Sequence, residues 1–354
     1  MFISVVIQKI RFLCINGLVA LVLAAFLETI LWVGLNYPQF IPSVLLHPYR
    51  EMYQRQDRSI IQVSPCAQYD SGLFYTLKPG QSVFENREFS VVNKVNSEGL
   101  RDDERSLAHP DILVLGDSYA MGWGVSQEET FPQVLERLTD QNVLNAGISS
   151  FGTAREMKLL RRIDTSNLKY LIIQYHPNDY EENITYMENG YDLPIRSEKQ
   201  YDSLKNAIRR RAEYFPFKYL TGISSGIAKT ILRPTPRDTA NTLAEARMFL
   251  DILERSLPAK DSLRILVFKT EVLSKLQSDR FIRSLDSLVN KEPYPWYNIT
   301  VFSIADFLTE DDYFILDDHI NASGHNKIAR KLFEFIHNES PTVGTKILVK
   351  QPKP

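Results

Sequence analysis

The stretch DILVLGDSYAM, residues 111–121, reads as a buried strand that breaks at Gly116 and restarts as a helix turn, with Ser118 at the break. Ile112, Leu113, Val114 and Leu115 form an unbroken apolar run, the pattern of a strand covered on both faces. A serine at such a strand end stands clear of the sheet with a helix N-terminus behind it, a position suited to attack on a carbonyl. The same rhythm recurs in NVLNAG at 142–147, YLIIQY at 170–175, RILVFK at 264–269 and a weaker ITVFSIA at 299–305. Amphipathic segments lie between them, such as Phe131, Val134, Leu135 and Leu138 at helical spacing. This alternation predicts an α/β fold, a three-layer sandwich with a central parallel sheet and helices on both faces. Its ligand crevice lies at the carboxyl ends of the strands, where Ser118 stands.

A serine hydroxyl needs a base. Some two hundred residues on, Asp317-Asp318-His319-Ile320-Asn321 is followed by Gly324-His325. His319 precedes a helix whose Ile328, Leu332, Phe335 and Ile336 make a buried stripe, so the fold can hold its ring rigidly at the crevice. His325 falls one turn ahead of Ile328 on that stripe and reads as a packed or capping histidine. His176, beside the third strand, is the rival base.

With GDSY at 116–119, NAGISSFGT at 145–153, HPND at 176–179 and DDHINASGH at 317–325, the chain resembles a bacterial SGNH/GDSL hydrolase, the blocks arriving in that family's order. The likeness covers the region from about residue 90 to 338, including NSEGLR at 96–101 and GWGVSQEETFP at 122–132. It implies an ester hydrolase working through an acyl-enzyme without metal or organic cofactor: Ser118 as nucleophile, His319 as base and an acid to orient it. Many relatives place the acid three residues before the histidine, where this chain has Leu316; the two-residue offset also occurs, which selects Asp317. Asp318 is expected to point away or to cap the following helix. The implied oxyanion donors are the Ser118 N–H, an N–H in the second block and the Asn178 side chain. Where relatives often carry glycine in that block this chain has Ser150, flanked by Gly147 and Gly152; Asp117, Gly147, Gly152 and Asp318 complete the supporting set.

With 354 residues, 24% charged and 44% hydrophobic, the chain can bury one large core with appendages, and a net charge of -2 gives no support to nucleic-acid binding. Its two cysteines, Cys14 and Cys66, exclude a disulfide framework. From Phe12 to Leu35 run 24 mainly apolar residues, about 36 Å of helix against a bilayer core of about 30 Å. Lys9 and Arg11 before it, with Trp32 and Tyr37 at its far end, imply a cytoplasmic N-terminus (1–11), a single-pass anchor (12–35) and an exported remainder, periplasmic or at the cell surface. A cleaved signal peptide is the alternative. Glu28 within this run reads as a functional intramembrane site or as a protonated or snorkelling carboxyl.

Residues 36–106, broken by Pro38, Pro42, Pro48 and Pro65, form a connector with a small strand pair around FSVVNKV and the turn Asn96-Ser97-Glu98-Gly99. The hydrolase domain is expected over 107–338, with a tail at 339–354. An aromatic- and proline-rich insertion at about 181–240 interrupts it, carrying Arg209-Arg210-Arg211 and YFPFKYL at 214–220. It reads as a cap packed on the core; shaping the cleft or resting on a membrane surface are the other readings. The expected function is an extracytoplasmic esterase acting on acyl groups, O-acetyl above all, of envelope carbohydrate or lipid. An O-acetyltransferase sharing the triad and a non-catalytic glycan-binding scaffold are the alternatives.

Overall fold

A computed structural model describes residues 2–223, 242–257, 262–271, 280–291 and 298–338. The expected tail at 339–354 and the later part of the insertion lie outside these residues. The chain forms two compact units: residues 1–59, 207–238 and 315–317 make the first, and residues 60–206, 239–314 and 318–354 the second.

In the first unit, α1 (Phe2–Asn36) runs through the apolar segment, and Val6–Asn36 is long and apolar enough to cross a membrane. A short turn leads to α2 (Ser43–Met52). Leu31 and Leu35 on one face of α1 bury against Tyr49, Met52, Tyr53, Tyr219 and Leu316. Gly34 permits the contact, because a Cβ there would stand 2.4 Å from the Tyr49 ring. Glu28 does not snorkel: it is buried, and its carboxylate accepts the N–H groups of Tyr219 at 3.1 Å and Leu220 at 2.9 Å. Those are N–H groups in the first turn of the helical stretch 218–223, which has no intrahelical acceptor for them. Beside them Lys218 and Asp57 form a buried ion pair at 3.2 Å. Part of the expected insertion thus packs with α1 in one small core.

The second unit opens with two antiparallel pairs, β1 (Ala67–Asp70) with β2 (Phe74–Leu77) and β3 (Gly80–Asn86) with β4 (Phe89–Val95). FSVVNKV is β4, but the expected single pair is two. The first was hidden because AQYD and FYTL are only four residues each. The turn at 96–99 closes with Gly99 N–H on the Asn96 carbonyl at 3.0 Å.

The main sheet comprises β5 (Ile112–Leu115), β6 (Val143–Asn145), β7 (Tyr170–Tyr175), β8 (Arg264–Lys269) and β9 (Asn298–Ser303), all parallel, in the order β6-β5-β7-β8-β9. Side-chain alternation along the strands builds the layers. Leu113, Leu115, Leu171, Ile173, Ile265 and Val267 enter one core, against α5 (Thr153–Leu160), α8 (Thr242–Ser256) and α9 (Arg280–Lys291). Ile112, Val114, Ile172 and Leu266 enter the other, against α4 (Phe131–Thr139) and α10 (Ala322–Asn338). This is the expected three-layer arrangement. The chain leaves β5 toward β6 on one side and returns to β7 on the other, so the crevice opens at the carboxyl end of β5.

Candidate active site

β5 delivers the chain to Gly116, whose φ of 151° and close neighbours exclude a side chain: a Cβ would lie 2.5 Å from Gln174 Oε1 and 2.7 Å from Ala120 Cβ. The turn that follows, α3 (Ser118–Met121), is held through its backbone N–H groups. Asp117 N–H donates to Gln174 Oε1 at 2.9 Å and Ala120 N–H to the same oxygen at 3.2 Å. Tyr119 N–H donates to Asp117 Oδ1 at 3.0 Å, and Met121 N–H to the Asp117 carbonyl at 2.9 Å. Among the described residues the Ser118 N–H has no acceptor. This N–H is left over in a turn whose neighbouring N–H groups are taken up, and it can donate to an oxygen placed beside Ser118.

Gln174 makes this possible. It sits within the apolar strand β7, fully buried, and its Nε2 donates to Thr270 Oγ1 at 2.7 Å. The sequence reading passed over it, although a lone amide in YLIIQY was a visible signal, since buried polar groups require partners.

The Ser118 hydroxyl lies 2.7 Å from His319 Nε2. The imidazole stacks on Trp123 at 4.6 Å and 13°, with Tyr119 at 4.7 Å, and both aromatic residues are buried. Two hydrogen bonds to its carbonyls hold the loop: Phe314 N–H donates to the His319 carbonyl at 3.1 Å, and the Tyr119 hydroxyl to the Asp318 carbonyl at 2.8 Å. Trp123 and Tyr119, which confine the ring to one plane, were also missed.

His176, the rival base, instead stacks on Tyr119 at 5.3 Å, and its Nδ1 lies 2.6 Å from Asn178 Oδ1. His325 is buried, stacks on Phe131 and accepts the Phe131 N–H on Nδ1 at 3.1 Å, capping α4. Burial, with the nearby Arg101 and His319, pushes its pKa down to about 3, so the ring is neutral.

The acids divide. Asp317 belongs to the first unit, where it is buried and its Oδ2 accepts the Tyr53 hydroxyl at 2.9 Å. Asp318, expected to point away or cap a helix, does neither: its Oδ1 lies 3.3 Å from His319 Nδ1. Asn321 caps α10, its Oδ1 accepting Ser323 N–H at 2.9 Å.

The second block follows β6. Gly147 lies against α3, where a Cβ would be 2.4 Å from Met121 N, and its own N–H donates to Asn145 Oδ1 at 3.1 Å. Gly152 N–H donates to Glu182 Oε1 at 3.0 Å. Both flanking glycines are thus committed elsewhere, whereas among the described residues the Ser150 N–H has no acceptor. Ser150 takes φ of 59°, the left-handed region that glycine enters most easily. Asn178 is exposed at the start of α6 (Asp179–Glu188), which follows β7 and precedes α7 (Glu198–Ala212). Its neighbour Asp179 is fully buried and accepts Thr153 Oγ1 at 2.8 Å; burial and the Asp117 carboxylate push its pKa well above the usual range.

The chain is similar to several solved structures. One is a protein described as a GDSL-like lipase from Bacteroides ovatus, at 15% identity over 65% of this chain and 53% of that one, with a TM-score of 0.39. A second is a member of the lipolytic G-D-S-L family from Veillonella parvula, at 12% identity over 63% of this chain and 96% of that one, with a TM-score of 0.38. A third is a carbohydrate esterase family 2 enzyme with a carbohydrate-binding domain from Myceliophthora fergusii, at 13% identity over 64% of this chain and 65% of that one, with a TM-score of 0.37. This chain therefore spans about half the length of the first. No protein-family model matches the sequence, and no curated protein sequence matches it significantly.

Proposed function

We propose that the chain is a membrane-anchored serine esterase of SGNH/GDSL type, with its hydrolase domain, residues 107–338, outside the cytoplasm. The observation that carries this reading is the 2.7 Å contact between Ser118 Oγ and a His319 ring held by Trp123 and Tyr119. His319 Nε2 takes the serine proton as Oγ attacks the ester carbonyl, and returns it to the leaving alcohol. A second cycle with water releases the acid.

Asp317 is the proposed acid that fixes the His319 tautomer, and Asp318 is a second carboxylate, on the Nδ1 side. The oxyanion is received by the N–H groups of Ser118 and Ser150 and by the Asn178 amide. Lys9 and Arg11 on one side of the apolar helix and Trp32 and Tyr37 on the other support an inward N-terminus. An anchored, exported esterase suits acyl groups, O-acetyl above all, on envelope carbohydrate or lipid.

The test uses the full chain in detergent, because Leu31 and Leu35 belong to a buried core and cannot be trimmed with the anchor. A fluorophosphonate probe should label the wild type and short aryl esters should be turned over; Ser118→Ala should abolish both while leaving the fold intact. Persistent labelling of Ser118→Ala would place the nucleophile elsewhere and refute the reading.

A further inference from the structure

We infer that residues 214–223 of the first unit form a second lipid-contacting element, seated in the membrane interface beside α1 and pinned there by Glu28. The inference rests on the reading of α1 as a membrane span.

The first observation is where apolar surface is left uncovered. Among the described residues, every exposed large hydrophobic other than Val83, Val92, Tyr191 and Leu243 falls in the first unit. Beyond the helix core these include Trp32, Tyr37, Phe40, Val44, Tyr214 and Phe215, with Val44 at 82% and Tyr214 at 60% exposure. Isolated exposed apolar residues need no explanation, but a concentration of aromatic ones continuous with a spanning helix matches the aromatic belt of a membrane interface.

The second observation sets the depth. With the hydrocarbon core entered at Phe12, after Arg11, about 20 residues and about 30 Å of helix bring the chain to Trp32. Glu28 lies about one turn, roughly 6 Å, below Trp32. A carboxylate at that level is costly unless its oxygens are occupied. Here both are, by the N–H groups of Tyr219 at 3.1 Å and Leu220 at 2.9 Å. The 218–220 backbone is therefore tied to α1 at the edge of the hydrocarbon, and the exposed Tyr214 and Phe215 just before it share that zone.

Charge agrees. Lys218 is neutralised by Asp57 and buried, as a cation at this depth must be, whereas Arg209 and Arg210, about nine residues before the tie, are exposed toward anionic headgroups. Partner proteins or a second copy could cover an apolar patch, but neither would call for the graded order of buried pair, aromatics and exposed cations that a bilayer presents.

The test places a polarity-sensitive fluorophore on the full chain in vesicles of phosphatidylcholine and phosphatidylglycerol, using Phe215→Cys or Val22→Cys in a Cys14→Ser, Cys66→Ser background. Lipids spin-labelled near the headgroup or deep in the chain serve as quenchers, with iodide as the aqueous quencher. The probe at 215 should be quenched most by the shallow label, and the probe at 22 by the deep one. Glu28→Ala should abolish shallow quenching at 215 without changing the result at 22.

Loss of lipid quenching at 215 alone, whether iodide reaches the probe or a protein surface shields it, overturns the inference and leaves the span intact. Loss at 22 as well removes the spanning helix on which it rests. Unchanged quenching in Glu28→Ala overturns the pinning.

Discussion

Replacing Gln174 with leucine tests the idea that the turn carrying Ser118, the proposed nucleophile, is set from beneath. Its Oε1 accepts two N–H groups, from Asp117 and Ala120, and its Nε2 donates to Thr270. Leucine fills similar space but accepts nothing, so two buried donors lose their partner at about 1–3 kcal/mol each before relaxation. With partial compensation from the apolar replacement, a stability loss of about 2–4 kcal/mol is expected.

The effect on turnover is separate. The two N–H groups flank Ser118, whose own N–H has no acceptor among the described residues and is the proposed oxyanion donor, and loss of a whole oxyanion donor costs about 10²–10³ in kcat. A turn that is loosened but not removed should lose about 10- to 100-fold in kcat with KM within about twofold, because the donor acts mainly on the transition state. Gln174→Glu keeps an acceptor and should retain more activity. Steady-state kinetics of the full chain on an aryl acetate, with the rate of fluorophosphonate labelling and a melting curve in parallel, decide it. A Gln174→Leu protein that melts lower yet keeps wild-type kcat and labelling rate would show that the clamp serves stability alone.

Two further tests concern the base and its surroundings. Asp317→Asn should lower kcat by orders of magnitude, approaching the loss of about 10⁴ seen when a protease triad loses its acid, with Asp318→Asn within about tenfold of wild type; a severe loss confined to Asp318→Asn, whose carboxylate lies 3.3 Å from His319 Nδ1, would reassign the role. His325, with its pKa at about 3 in the fold against about 6.5 unfolded, makes the unfolded chain bind more protons between those values. Its contribution to stability is therefore complete above about pH 6.5 and lost toward pH 3, at about 1.4 kcal/mol per pH unit. Urea melts at pH 4.5 and 7.5 should show the wild type losing ground to His325→Asn in acid; a gap independent of pH would mean that the ring takes up its proton as readily in the fold as in the unfolded chain.

What the sequence determined by itself was whatever local pattern encodes. Four- to six-residue apolar runs such as ILVL and YLIIQY, too short for surface helices, dictated buried parallel strands, and the break after the first of them put Ser118 at the sheet's carboxyl edge. The apolar stripe of Ile328, Leu332 and Ile336 dictated that α10, just after His319, would be buried. The apolar N-terminal run likewise dictated a helix long enough to span a membrane. Tertiary structure decided everything that depends on partners distant in the chain. Gln174 meets a turn 57 residues earlier, and Glu28 meets N–H groups 191 and 192 residues later. Asp318, expected to face away, turns toward Nδ1, because the loop's direction is set by its long-range bond to Tyr119 rather than by its own residues. Hydrogen bonds act over about 3 Å in space, so a pattern written along the chain is silent about which groups folding will bring within that distance.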